Sequence, residues 1–570
     1  MSAAGALPRS GVGVRLQQLL GEQPRRIVLH LVDTAGAVQS VSAAELVDRA
    51  HAFAAEYRSR GCVDKPVAVC LYHGLDLYAG FIGALWAGAV PTMLPPPSPR
   101  IEPAKYYRSF RHVRDYIAPA AILIDHRTRA ALDAAGHLGD LDERLVDAQS
   151  VAPAAPYAAY ERALDDVILV QHSSGTTGLQ KGVALSSREV FAHNAAYTAT
   201  LEITERDVIV SWLPLYHDMG FIACFLLPLL TGVPVVAMSP FDWVQRPAML
   251  LEHIHAFRGT LCWLPNFAFN YLAVSVRPSQ VRADLDLSSI RAWVNSSEPV
   301  TERSFRAFLT RYEAHGVSEA QLTASYAMAE NVYAVTQSLP GALRVLHVDR
   351  GAFREHHRAV SAEASAGAMA LVSNGRVVEG TEVRVLDDAH APVPDGTVGE
   401  IALRGRFLFS GYHGRPDLTA AAMTDGGWYL TGDLGFLHEG ELYVTGRKKD
   451  LIIIQGRNYY PADIEEAVAN VEGVLSGRVA AFGVRDERTG TEGLVIVAEV
   501  GDERQQDASI VAAIRASVAQ EFDCTPSDVR LLPAKWLVKS SSGKVARNDN
   551  REKYLEQFRP QTPTPEVLGV

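Results

Sequence analysis

The spacing of apolar residues changes along the chain, and the changes mark out its parts. SAAELVDRAHAFAAEYRSRG (42–61) carries them at helical intervals. PVAVCLYHG (66–74) reads as a strand, LYAGFIGALWAGAV (77–90) as a buried helix ending near Pro91, and AAILIDH (120–126) as a second strand. Strands alternating with helices predict a parallel sheet covered on both faces. A second such rhythm runs from Val167 to about Gln337. Strands dominate from Val378 to Val444, as in TEVRVLDD and GEIALRG. From about residue 448 a helix at Pro461–Val471, a strand (LVIVAEV) and the amphipathic helix ASIVAAIRASVAQEF outline a separate small α/β domain. PPPSPR (95–100) and VAPAAPYAAY (151–160) are loop or linker material.

Phe221 to Ser239 is uncharged throughout and matches a membrane span in length. Pro228, Gly232 and Pro234 interrupt it, which predicts a buried helix of about three turns and then a short strand, VPVVAM. No membrane span is expected. Of the 570 residues 48% are hydrophobic and 21% charged, enough for a large core. The formal net charge of −11 argues against binding nucleic acid, whose phosphates call for a basic surface. Five scattered cysteines without a CxxC pair do not form a disulfide framework or a structural zinc site. With no apolar signal-peptide run at the start, the expected location is cytoplasmic.

The chemistry concentrates in one loop. SSGTTGLQKG (173–182) follows the strand Val167–Gln171 and precedes a capping box, Ser186 with Glu189, that opens a helix. Strand, loop and helix in that order bring backbone N–H groups and hydroxyls to a phosphate. Gly175, Gly178 and Gly182 let the chain turn tightly. Thr176 and Thr177 offer hydroxyls, and Lys181 offers charge. The loop is not a Walker P-loop, because Gln180 stands where glycine precedes the lysine. Taken alone, such a cluster also fits a solvated surface loop.

SSGTTGLQKGV resembles the phosphate loop of the adenylate-forming superfamily, which includes acyl-CoA synthetases and fatty acyl-AMP ligases. Further motifs follow in the family's order, and the resemblance covers about residues 40–556. It implies roles for particular residues. Ser173, Ser174, Gly175, Thr176, Thr177 and Gly178 would hold ATP phosphates. His217, in SWLPLYHDMGFI, would lie beside the acyl carboxylate. Ser297 and Glu298, in VNSSEPV, would line the adenine pocket. Tyr326, in SYAMAE, would stack on adenine, and Glu330 would hold Mg²⁺ with Thr176. Asp433, in YLTGDLG, would bind the ribose. Arg447, in TGRKKD, would touch ribose or phosphate, and Lys449 would be the hinge. Lys544, in VKSSSGKVAR, would be the catalytic lysine, acting with His217 and Lys181.

The resemblance implies an α/β fold. A large N-terminal domain (1–447) would hold two parallel-sheet subdomains and a β-rich one. A small mobile C-terminal α/β domain (448–570) would carry the catalytic lysine. The implied reaction is ATP-dependent conversion of a carboxylic acid to an acyl-adenylate with release of pyrophosphate. The acyl group would then pass to a thiol, with an acyl carrier protein or a partner acyltransferase as the expected acceptor. GRKKDLIIIQGRNYYPADIEEAV and an insertion at about 341–370 resemble the fatty acyl-AMP ligase branch, in which the insertion is thought to disfavour CoA as acceptor. Lys181 instead follows the CoA-ligase form, so a complete acyl-CoA synthetase is the alternative, and a non-catalytic acyl-adenylate binding protein is a second. Trp263 and Leu264, in LCWLPNF, are bulkier than the glycines expected before PNF and would narrow the acyl pocket.

Overall fold

The structure is a computed structural model and describes residues 8–97, 103–136, 139, 141–172, 181–365, 368–454, 457–485, 492–522, 524–540 and 543–558. The chain forms two compact units: the first runs to Thr445, and the second comprises Gly446 onward, with Arg354–His356 of the described earlier residues also assigned to it.

Two parallel sheets organise the first unit. One is four-stranded, in the order Val90–Met93, Pro66–Cys70, Ala121–Ile124, Leu145–Asp147. The apolar helix predicted to reach Pro91 ends sooner, at Ala87. Gly88 adopts the left-handed conformation (φ 78°) that stops a helix cheaply, and Pro91 then lies in an edge strand. The other sheet has nine strands. Its parallel centre is Leu322–Ala327, Ala292–Ser296, Leu261–Pro265, Ile209–Ser211, Val235–Met238 and Ile27–Val32. Ile27–Val32 enters it from far away in sequence, pairing with Val235–Met238.

Two antiparallel sheets complete the unit. Thr381–Leu386, Gly399–Gly405, Tyr429–His438 and Glu441–Arg447 form the β-rich part. Val167–His172, Gly182–Ser186 and Gly411–Tyr412 form a small three-stranded sheet. The insertion folds on itself, with Val345–Asp349 and Ala368–Val372 antiparallel around the helix Arg350–His356. The predicted buried helix-turn-strand at 221–239 is present with one difference. Met219–Leu226 is a π-helix, a form that often marks functional sites, leading into Leu227–Thr231 and the strand Val235–Met238. Among the described residues no helix is long and apolar enough to cross a membrane. All five cysteines are buried and none is in a disulfide.

The second unit has a three-stranded sheet, Val474–Arg485 antiparallel to Glu492–Val500 and the latter parallel to Asp528–Leu532. Helices Pro461–Ala469 and Ala508–Phe522 pack on one apolar cluster, and Arg547–Phe558 on another.

Candidate functional site

The phosphate-loop motif sits differently from the expectation. Gly182–Ser186 is a strand paired antiparallel to Val167–His172, with His172 opposite Gly182, and the helix begins only at Ser187. Residues 173–180 therefore stand between two antiparallel strands, and the expected capping box at Ser186 opens its helix after the second of them. The sequence missed this because a five-residue buried strand, GVALS, reads as a lead-in to the helix. Ser173, Ser174, Gly175, Thr176, Thr177 and Gly178 lie outside the described residues. A Cβ on Gly182 would come within 2.8 Å of Val170 Cγ1, so a larger residue there would have to push the Val170 side chain aside.

Lys181, the residue where the chain returns, holds its ammonium 4.4 Å from the centre of the Tyr412 ring, a cation–π contact. The Tyr412 hydroxyl donates to Glu330 Oε1 at 2.9 Å and lies 3.1 Å from the Tyr429 hydroxyl. Glu330 is buried, and its backbone carbonyl accepts the Phe409 N–H at 2.8 Å. Burial pushes its carboxyl above the usual glutamate range. Bonds from its own backbone and from Tyr412, and the charge of Lys181, pull the other way. Burial and then the Glu330 carboxylate push both phenols up, so Tyr412 and Tyr429 stay protonated donors. Val332, two residues on, has φ 62° and ψ −56°, with the Tyr333 N–H bonded to the Asn331 carbonyl at 2.6 Å. This γ-turn is costly for a β-branched residue, and such strain clusters at working sites.

Tyr326, at the end of the strand Leu322–Ala327, donates its hydroxyl to Asp433 Oδ2 at 2.7 Å. Asp433 is buried on Tyr429–His438, and its N–H bonds Thr431 Oγ1 at 3.0 Å. Glu330, Tyr412 and Tyr326 all act electrostatically on the Tyr429 phenol, so it lies near both pairs.

His217 ends the segment after Ile209–Ser211. Its carbonyl accepts the Phe221 N–H at 2.8 Å, and the Asp218 carboxylate accepts the Met219 N–H at 2.8 Å, starting the π-helix. A Cβ on Gly220 would meet the Pro214 carbonyl oxygen at 2.3 Å, so glycine lets this turn close up. Ser297, at φ 70°, directs its hydroxyl to Met219 Sδ at 3.9 Å. The Glu298 carboxylate accepts the Phe267 N–H at 2.9 Å and so caps the helix Asn266–Ser275. Behind Leu213–Tyr216 lies an apolar pocket that includes Leu71, Met93, Phe241 and His73.

Arg447 ends the last strand of the β-rich sheet, just past the boundary between the units, and Lys449 lies in the short turn Lys448–Asp450 that follows. Lys544 sits in a tight turn in which the Ser540 N–H bonds its carbonyl at 2.8 Å. Arg547 pins this turn from below. It makes two bonds to Glu465, at 2.8 and 2.7 Å, and one to Asp450 at 3.2 Å. Tyr412, Tyr429 and Arg547 were not singled out from sequence. A lone buried tyrosine reads as core, and an arginine three residues after a lysine as surface charge.

These groups fit a nucleotide and its counter-ion. Among the described residues there is no cluster of three or more metal-binding side chains. Mg²⁺ asks for less, since one or two carboxylates suffice when phosphates supply the rest, and Glu330 provides such an oxygen donor.

The AMP-binding enzyme model matches residues 16–413. The chain belongs to that family of adenylate-forming enzymes. It is 32% identical to the medium-chain-fatty-acid–[acyl-carrier-protein] ligase JamA of Moorena producens, over 91% of this chain and 90% of that one. It is 31% identical to a 4-hydroxyphenylalkanoate adenylyltransferase of Mycobacterium marinum, over 96% and 92%. A structure from work on fatty acyl-adenylate ligases of E. coli and L. pneumophila superposes with a TM-score of 0.86 at 27% identity, covering 97% of this chain and 99% of that one.

Proposed function

We propose that the protein activates a carboxylic acid as its acyl-adenylate and hands the acyl group to the thiol of an acyl carrier protein. The observation that carries this reading is the linkage of Lys181, Tyr412 and Glu330 to Tyr326 and Asp433 through Tyr429. It puts a cation, a carboxylate and two neutral donors beside an aromatic–carboxylate pair, which suits a triphosphate next to its nucleoside.

An acid oxygen attacks the α-phosphorus of ATP. The bond to the β-phosphate oxygen breaks and pyrophosphate leaves, so acyl-AMP carries AMP as a leaving group for the thiol. Catalysis is mostly the positioning of two anions and offsetting of their charge. Lys181 and, from the second unit, Lys544 supply ammonium groups for this. Glu330 would hold Mg²⁺, which when bound neutralises the polyphosphate. Asp433 would exchange its Tyr326 bond for the ribose hydroxyls. His217 would face the acid, Ser297 and Glu298 would border the base, and Arg447 would approach ribose or phosphate. Lys449 would act as the hinge between a domain ending near residue 447 and one starting near 448. The phosphate-loop residues would wrap the triphosphate, with Thr176 helping on the metal. The buried cysteines, none in a disulfide, support a reducing, cytoplasmic setting.

JamA, by its name, delivers its acid to an acyl carrier protein, and this supports the same acceptor here. Lys181 favours one second reading, a complete acyl-CoA synthetase. Product analysis by mass spectrometry separates the two. The protein is incubated with ATP, Mg²⁺ and a panel of acids, then with CoA or a phosphopantetheinylated carrier protein. Acyl-AMP that persists with CoA and is consumed by the carrier supports the carrier reading. Rapid acyl-CoA formation overturns it, and no acyl-AMP from any acid overturns the reaction itself.

A further inference from the structure

Which acid is used is written in what lies under the site. Tyr333 lies close enough to Asp218 for that charge to act on its buried phenol. Its ring stands edge-on to that of Tyr197 at 5.5 Å. The Tyr197 hydroxyl accepts the Trp263 indole N–H at 3.0 Å and donates to Gln337 Oε1 at 2.8 Å. Gln337 in turn donates to the Ser338 carbonyl at 2.8 Å. Trp263, Tyr197 and Tyr333 have no solvent exposure. Trp263 stands on Leu261–Pro265, a strand that packs against the π-helix, and Cys224 of that helix perturbs both phenols. Rings and hydrogen bonds thus fill the space between the π-helix and the ends of the central strands. His217 stands on the turn that leads into this π-helix, so an acid held beside it, as the reading above has it, would send its tail along the helix toward these rings.

We propose that Trp263, seated by Tyr197 and Tyr333, closes the inner end of the acyl site, so that the acid is a short-chain or single-ring carboxylic acid and not a long-chain fatty acid. The inference rests on the acyl-adenylate reading above. A bulky indole tied at its N–H cannot swing aside as a flexible methionine does, so each methylene beyond the wall meets a fixed obstacle. A methylene that fits or fails to fit an apolar pocket changes kcat/KM by about tenfold or more.

The test is a chain-length profile. Pyrophosphate release is measured with butanoate, hexanoate, octanoate, dodecanoate, hexadecanoate and 3-phenylpropanoate for the natural protein, Trp263→Gly, Trp263→Leu and Tyr197→Phe. The natural protein is expected to favour the short and single-ring acids by at least about a hundredfold over hexadecanoate, two or more methylenes past the wall at that rate. Trp263→Leu and Trp263→Gly are expected to move the optimum progressively to longer acids. Tyr197→Phe keeps the ring but removes the hydroxyl that ties the indole, and is expected to move the optimum toward longer acids by less than Trp263→Leu does. Equal turnover of hexadecanoate and butanoate by the natural protein overturns the proposal, because the tail then runs elsewhere, for instance into the pocket behind Leu213–Tyr216. So does an unchanged optimum in the folded Trp263→Leu protein.

Thermal shift with hydrolysis-resistant butanoyl- and hexadecanoyl-sulfamoyl-adenosine reports the wall without turnover. If no acid releases pyrophosphate yet only the butanoyl mimic binds, the closed site stands and the reaction reading falls. Equal stabilisation by both mimics overturns the closed site.

Discussion

Three buried histidines make the first unit sensitive to mild acid. Burial lowers His73 and His172 to about 4 and His193 to about 3, against 6.5 for a free imidazole. His172 has no hydrogen-bond partner for either ring nitrogen among the described residues. His193 uses Nε2 to accept the Ala334 N–H at 3.0 Å, a bond that needs the neutral ring. Between pH 6.5 and about 4 the unfolded chain binds protons that the folded chain refuses. Stability therefore falls as pH falls, starting near 6.5. At pH 5 the unfolded value lies about 1.5 pH units higher, which costs ~2 kcal/mol per imidazole and ~6 kcal/mol for the three. That is comparable to the whole stability of a typical domain, ~5–15 kcal/mol. Glu330 works in the opposite sense, because burial lets it take up a proton more readily folded than unfolded, and it offsets part of the loss. Urea titrations at pH 7.5, 6.5, 5.5 and 5 followed by tryptophan fluorescence read this unit, since six of the seven tryptophans lie before Thr445. The midpoint is expected to drop steeply below pH 6.5, and His193→Gln should remove about one proton from the slope, ~1.4 kcal/mol per pH unit. A midpoint that stays level from pH 7.5 to 5 refutes the argument.

Other changes probe the site. Lys544→Ala should lower acyl-AMP formation by about two to three orders of magnitude while ATP still binds by calorimetry; near-normal pyrophosphate exchange contradicts the role given to that lysine. Glu330→Gln should raise the Mg²⁺ concentration for half-maximal activity by about tenfold or more, the effect of losing one charged ligand. An unchanged Mg²⁺ curve would remove Glu330 from the metal site. Joining Arg344 to Ser373 through one glycine excises the insertion where the Ser373 N–H already bonds the Arg344 carbonyl at 2.9 Å. Acyl-CoA yield is expected to rise in the folded variant, and no rise sinks the idea that the insertion disfavours CoA.

Much of the architecture was legible because strands such as PVAVC and AILI are short apolar runs bounded by turn residues, and the capping box at Ser186 announces its helix. What depended on distant pairing was not. The junction of Ile27–Val32 with Val235–Met238 joins segments some two hundred residues apart, and no local pattern encodes it. The π-helix was also hidden, since an uninterrupted apolar run carries no phase to distinguish one helical register from another. In the site, charged motif residues stood out, whereas the tyrosines that connect them did not. Their hydroxyls become informative only when a buried carboxylate is found at the other end.

The hairpin setting of the phosphate-loop motif has a consequence for how the nucleotide is drawn in. A loop at a helix start attracts phosphate with fixed backbone dipoles, which work at short range. Among the described residues, the group at this hairpin that can pull on phosphate is a full charge, the Lys181 ammonium. Attraction between full charges weakens as mobile ions crowd around them. The Michaelis constant for ATP should therefore climb with ionic strength more steeply than in an enzyme whose phosphates rest on a helix end.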